Sequence, residues 1–205
     1  MKVLAKVLVL GFFVQVALAA PKQETPFDKM PKLPSFTLTS VDLKDGQVLE
    51  QAQMSGMFGA GGQDKSPELT WKGFPKETKS FAITVYDPDA PTGSGFWHWA
   101  VMDIPATVTS LPSGAGALNS TMIPKEAVQL PNDASLGQFL GAAPPAGHGM
   151  HHYFITVYAV DVATLGIPKT ATPAFLGFNL FTHALARATI VGTAERKKPV
   201  TAASK

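Results

Sequence analysis

Apolar and polar side chains alternate with a period of two in three stretches of this chain, and each alternation predicts a β-strand. Phe81, Ile83 and Val85 interleave with Ala82, Thr84 and Tyr86, which puts one set on each face of a strand. Asp87-Pro88-Asp89-Ala90-Pro91 stops that strand, because proline offers no donor to a ladder and fixes its own φ; Gly93-Ser94-Gly95 continues the turn. Residues 97–104 form a second apolar-rich strand ended by Pro105, and residues 153–160 a third. Phe36-Thr37-Leu38-Thr39 reads as a short first strand. Residues 55–66 carry four glycines and read as a loop; no Gly-Lys-Ser/Thr follows, so a phosphate-cradling P-loop has little support. The pattern changes near the end, where Phe178, Phe181 and Leu185 recur at helical spacing before Gly192. This predicts an amphipathic C-terminal helix over 175–191. The expected architecture is mainly antiparallel β with helices packed at its edge.

The ends of the chain read differently. Lys2 and Lys6 precede an apolar run over 7–18, followed by small residues at Ala17 and Ala19. A basic start, a short apolar stretch and a small-residue exit form the pattern of a secretory signal peptide. Gln15 interrupts the run, and a bilayer span needs about 20 apolar residues. Cleavage after Ala19, or alternatively after Ala20, removes two lysines and no acid. Lysine plus arginine then falls from 17 to 15, equal to the 15 acids. The expected organisation is a signal peptide over 1–19, a flexible lead-in over 20–32, one domain over 33–195 and a loose tail over 196–205. The expected location is outside the cell, or the periplasm in a Gram-negative source.

Composition narrows the chemistry. The 205 residues are 45% apolar and 16% charged, which suits one globular domain with a real core. No long basic tract is present, so electrostatic capture of nucleic acid is not expected. The absence of cysteine excludes a thiol nucleophile, a cysteine–zinc site and disulfides. Asn119-Ser120-Thr121 is a glycosylation sequon.

Three polar residues sit at strand ends: Asp87 after the first long strand, His98 at the start of the second and His151 before the third. If the first two strands pair antiparallel, Asp87 and His98 share one rim, and His151 joins them if its strand runs parallel to the second. Tyr153 adds a hydroxyl on the same strand face as His151. Gly141, Pro144, Pro145 and Gly147 form a side-chain-poor loop whose backbone N–H groups can approach a ligand. Imidazole, phenol and amide donors with a single carboxylate suit a small anion such as phosphate. Two competing readings stay open. Two histidines and an aspartate also suit iron or zinc, though no His-x-Asp or His-Glu-x-x-His spacing supports a metal. Ser94 near Asp87 and His98 could serve a hydrolase, but Gly93-Ser94-Gly95 lacks the nucleophile-elbow setting. His152 points to the other strand face, and His183 falls within the expected helix as a packing or hydrogen-bonded residue.

At these residues the chain resembles the phosphatidylethanolamine-binding protein (PEBP) family, most closely its bacterial-type Raf kinase inhibitor-like branch. The matching stretches are Ser66-Pro67-Glu68-Leu69-Thr70-Trp71, Asp87-Pro88-Asp89-Ala90-Pro91, Trp97-His98-Trp99, 141–149 with its Pro144-Pro145 pair, and His151-His152-Tyr153. Gly177-Phe178-Asn179-Leu180-Phe181 and 184–188 fit as well. The resemblance spans about 33–195. It implies a large antiparallel central sheet, a smaller second sheet and peripheral helices, with a pocket for phosphate or a phospholipid head group. Carried over by position, that pocket comprises Asp87, His98, Gly141, Ala143, Pro145, His151 and Tyr153. Ala143 stands where the family has a second loop glycine, His152 where animal members have arginine, and Trp97 where they have a further histidine. The resemblance also implies a cis Ala90–Pro91 bond.

The expected function is therefore a secreted, non-enzymatic anion- or phospholipid-head-group-binding protein, without cofactor or metal. A second expectation is an inhibitor or scaffold that acts through its surface on a protease or kinase-like partner. A third is a small hydrolase using Asp87 and His98.

Overall fold

The computed structural model describes residues 25–198. The expected signal peptide and the last residues of the tail lie outside this range. Two antiparallel sheets carry the fold. The smaller contains β1 (Thr37–Thr39), β2 (Leu69–Lys72) and β5 (Ser110–Leu111), in the order β1-β2-β5. The larger contains β3 (Ser80–Asp87), β4 (Phe96–Pro105), β6 (Val128–Gln129), β7 (His151–Val160) and β8 (Ala184–Ala194), in the order β6-β4-β3-β7-β8. One α-helix, α1, spans Pro173–His183.

The period-two alternation sorts side chains between two cores. Phe81, Ile83 and Val85 join Trp99, Ile155 and Val157 on the front face of the central sheet, under Leu69, Trp71 and Leu111 of the small sheet. Trp71 and Phe74 each meet Phe81 edge-on, at 5.3 and 4.7 Å between ring centroids. Ala82, Ala100, Met102, Tyr158 and Val160 point to the back face, where Leu176 and Leu180 of α1 cover them. The alanines let the helix come close to the sheet.

A bulge in β4 decides which tryptophan goes where. Val85 pairs with Trp99 and Tyr86 with Trp97, so His98 is the extra residue between them. Strict alternation would put Trp97 and Trp99 on one face. The bulge sends Trp99 to the front core and Trp97 to the back, against Tyr86 at 4.2 Å between ring centroids.

The C-terminal helix is shorter than its periodicity predicts, and it buries another face. Thr172 caps its N-terminus, its hydroxyl accepting from the Phe175 N–H at 3.2 Å, with Pro173 in the first turn. It buries Leu176 and Leu180, while Phe175, Phe178 and Phe181 are 45%, 73% and 62% exposed. It ends at His183, and residues 184–194 become a strand paired with β7 from His151 to Val160. Without β8, the ten-residue edge of β7 would stand unpaired, and closing that ladder outweighs the helix preference of the alanines at 184, 186 and 188. Thr189, Ile190 and Val191 already favour extended backbone. His183 staples the corner, with Nδ1 2.8 Å from Asp161 Oδ1 and its carbonyl accepting from the Asp161 N–H.

Candidate anion-binding site

β3 pairs antiparallel with both β4 and β7, so its neighbours run parallel to each other. The end of β3 therefore meets the starts of β4 and β7 at one rim. Asp87, His98, His151 and Tyr153 all line one cavity of about 160 Å³ there, together with Ala143 and Pro145 of the 141–147 loop. Gly141 does not line it. A Cβ at Gly141 would collide with the backbone of Met54 and Ser55, and its N–H donates to Asp64 Oδ1 at 2.8 Å. The missing side chain thus lets two backbone segments meet behind the wall.

Asp87 and His151 form a buried pair, with Nδ1 of His151 2.7 Å from Oδ2 of Asp87. The other carboxylate oxygen accepts from the Asp89 N–H at 2.8 Å. The carboxylate thereby fixes the His151 ring with its Nδ1 proton inward. Nε2 of His151 lies 2.8 Å from Nδ1 of His148, so an exposed histidine continues the chain to solvent. His148 stands between Gly147 and Gly149, both at positive φ. His148 lies within the stretch that resembles the family, three positions before His151 in a glycine-flanked loop, but no motif there assigns it a role.

His98 and Tyr153 are arranged differently. Nδ1 of His98 donates to the Leu140 carbonyl at 2.9 Å, which leaves Nε2 as the ring's second nitrogen. Burial holds His98 below its ordinary pKa, opposed by the Leu140 carbonyl and by the charge of Asp87, so the ring is neutral and Nε2 offers a lone pair. The ring meets Tyr153 edge-on at 5.1 Å. The Tyr153 hydroxyl is out of solvent and makes no hydrogen bond. Asp87 and the Ala143 backbone act on it electrostatically without reaching hydrogen-bond geometry, and burial followed by the Asp87 charge pushes its pKa well above the usual tyrosine range. It is a proton donor in search of an acceptor.

The remaining walls are mostly apolar. Phe96, two residues before His98, comes within 4.8 Å of its ring, and Phe58 closes the cavity from the 55–62 loop. No local signal at Phe58 points to this role. Thr92 supplies an aliphatic hydroxyl that donates to the Gly95 carbonyl. Ser94 is exposed, and its carbonyl accepts from the Tyr86 hydroxyl at 2.9 Å. His152 sits on the other strand face, held by Asp89 at 2.7 Å. The described residues contain no cis peptide bond, so Ala90–Pro91 is trans, contrary to the expectation from resemblance. A hydrogen bond from Thr92 N–H to Ala90 O, 2.7 Å long, closes this turn. Among the described residues no group of three or more histidines or acids is placed to hold a metal ion.

Residues 39–195 match the family model described as phosphatidylethanolamine-binding protein. The chain belongs to the phosphatidylethanolamine-binding protein family. It is 45% identical to YbcL of Escherichia coli strain K12 over 163 residues, covering 80% of this chain and 89% of that protein. The crystal structure of E. coli YbcL superposes with a TM-score of 0.77, covering 80% of this chain and 99% of that one. A PEBP homologue from Chlamydia trachomatis, CT736, superposes with a TM-score of 0.66 at 27% identity, with coverage of 80% and 99%. The large and small antiparallel sheets and the C-terminal helix are those of a PEBP fold. Among the described residues no helix is long and apolar enough to cross a membrane.

Proposed function

We propose that this PEBP-family protein is an exported, non-enzymatic binder of a small phosphate-type anion, free or as a phospholipid head group. The observation that carries this reading is the pairing of an unanswered buried donor, the Tyr153 hydroxyl, with a neutral His98 on one small cavity. A monoprotonated phosphate ester matches both: its oxygen accepts from Tyr153, and its own hydroxyl donates to Nε2 of His98. Asp87 disfavours a dianion, but its two oxygens are already engaged by His151 and the Asp89 N–H. The volume of about 160 Å³ suits a head group and falls below the range of larger ligand pockets. The lining contains no serine or cysteine, and its Thr92 hydroxyl is committed to Gly95, which favours binding over nucleophilic catalysis. Export rests on the basic and apolar pattern of residues 1–19.

Calorimetry with phosphoethanolamine tests the site. The His98→Ala/His151→Ala variant is expected to lose binding while keeping the far-ultraviolet spectrum of the parent; unchanged affinity refutes the assignment. Binding is also expected to tighten as pH falls through the second phosphate pKa, about 6 for a phosphomonoester. Tighter binding at higher pH would show that the dianion is preferred and that the proposed proton from ligand to His98 is wrong.

A further inference from the structure

Two loops wall the front cavity, and they are built differently. One contributes Ala143, Pro144 and Pro145, where two proline rings fix their own φ. The other contributes the ring of Phe58, 51% exposed, on a loop with glycines at 56, 59, 61 and 62. Gly59 and Gly61 stand at positive φ, and a Cβ at Gly59 would find no atom within 4 Å. At this tip, hydrogen bonds rather than packing hold the chain, and glycine leaves it many alternatives.

Those bonds come from three sides. Asp64 Oδ2 accepts from the N–H groups of Gly56 and Met57 at 3.0 and 3.3 Å, and Ser55 Oγ accepts from the Phe58 N–H at 3.1 Å. Gln51 Nε2 donates to the Gly61 carbonyl at 2.6 Å. Between these holds, directly after Phe58, the Gly59 carbonyl accepts from Nη2 of Arg196 at 3.0 Å. Arg196 follows β8, whose last residue, Ala194, pairs with His151. Its own carbonyl accepts from the Gly147 N–H at 2.7 Å. Lys198 then lies across Gly147, where a Cβ would come within 2.4 Å of the lysine side chain. Arg196 therefore ties the two walls together, by its main chain to one loop and by its side chain to the other. It does not line the cavity itself, so it acts on a bound anion through Phe58 or through its long-range field.

We propose that Arg196 is a positioning residue of the front site: by holding the Gly59 carbonyl it keeps the Phe58 ring over the cavity, and Phe58 sets how closely a small anion is enclosed. This rests on the anion-binding reading of that cavity. Once Arg196 lets go, the glycine-rich tip samples positions in which the ring leaves the mouth. The water so admitted competes with the anion for Tyr153 and His98.

The test is a double-mutant cycle on phosphoethanolamine affinity, read by calorimetry in the full chain. Phe58→Ala should weaken binding about ten-fold and Arg196→Ala about three- to ten-fold, the range of coupling between residues that share one element. The double variant should bind no more than about two-fold worse than Phe58→Ala alone, because Arg196 acts through that ring. Hydrogen exchange gives a reading that needs no ligand. In Arg196→Ala the amides of Phe58 and Ala60 should lose protection, while Gly147, whose acceptor is the main-chain carbonyl of residue 196, keeps it. The proposal is overturned by unchanged affinity in either single variant or by unchanged exchange at Phe58 and Ala60. Losses that add in the double variant also overturn it, since they mean that the Arg196 charge acts on the anion directly. If the parent binds no phosphoethanolamine, the anion-binding reading falls and this inference with it. If the parent binds and His98→Ala/His151→Ala does not, an unchanged Arg196→Ala sinks this inference alone.

Discussion

The two faces of the central sheet solve the same burial problem and leave opposite remainders. On the front, the small sheet covers a continuous aromatic and aliphatic core, and only the rim stays open, where Asp87, His98, His151 and Tyr153 converge. On the back, α1 covers one end of the sheet and a short turn borders the other, so a broad aromatic floor remains open. The front opening is small and lined by donors and acceptors whose partners are mostly fixed; the back opening is larger and its lining is mostly aromatic. A strand's two side-chain sets can thus border two unlike cavities from one backbone. Thr84 and Tyr86 serve one, and Val85 and Asp87 back the other.

Breaking the front face is expected to have the largest effect. Phe81 is fully buried between Trp71 and Phe74, so Phe81→Ala should destabilise the fold by about 3–5 kcal/mol in urea denaturation. A loss below about 1 kcal/mol would mean that the front core is not packed as described. Asp87→Asn comes next. It replaces the carboxylate that orients His151 with an amide, and a loss of about 1.5–3 kcal/mol is expected for a buried charged hydrogen bond.

A smaller effect follows from His98. Its folded pKa lies below the ordinary value of 6.5 because burial disfavours the cation. Below that value the unfolded chain takes up a proton that the folded chain refuses, so stability falls as pH drops from 6.5 toward the folded pKa. The slope from this one group is at most about 1.4 kcal/mol per pH unit. His98→Asn keeps an N–H donor for the Leu140 carbonyl and should flatten that part of the stability–pH curve; an unchanged curve would show that His98 does not contribute. The smallest effect belongs to the back. Gly177→Ala adds a methyl group into open space on a helix and should stabilise the protein by up to about 1 kcal/mol. A lower melting temperature would show that the space above Gly177 is filled.

Much of this was legible in the chain. The alternation over 81–86 and the prolines after it located β3, and the antiparallel rim that follows from it brought Asp87, His98 and His151 together. The alternation of β7 also put Tyr153 beside His151 on the same face. The helix boundary was not legible, because alanines and phenylalanines at helical spacing look alike whether the next segment continues the helix or closes a strand ladder. Nor was the exposed side of α1, since phenylalanine and leucine are comparable hydrophobes and it is Leu176 and Leu180 that face the sheet while Phe178 and Phe181 stay exposed. Gly141 read as a ligand-approach residue, but the contact that requires it is with Met54, far away in sequence.

By itself, the order of residues determined which segments are extended, where they stop and which polar groups stand at their ends, because period and proline act over a few neighbours. That His98 is an extra residue in its strand, that Trp97 and Trp99 part to opposite faces, and that residues 184–194 extend rather than coil came from the assembled fold. Each of those depends on which strand lies alongside, and the free energy of closing a ladder or filling a core is shared between segments that the local pattern cannot see.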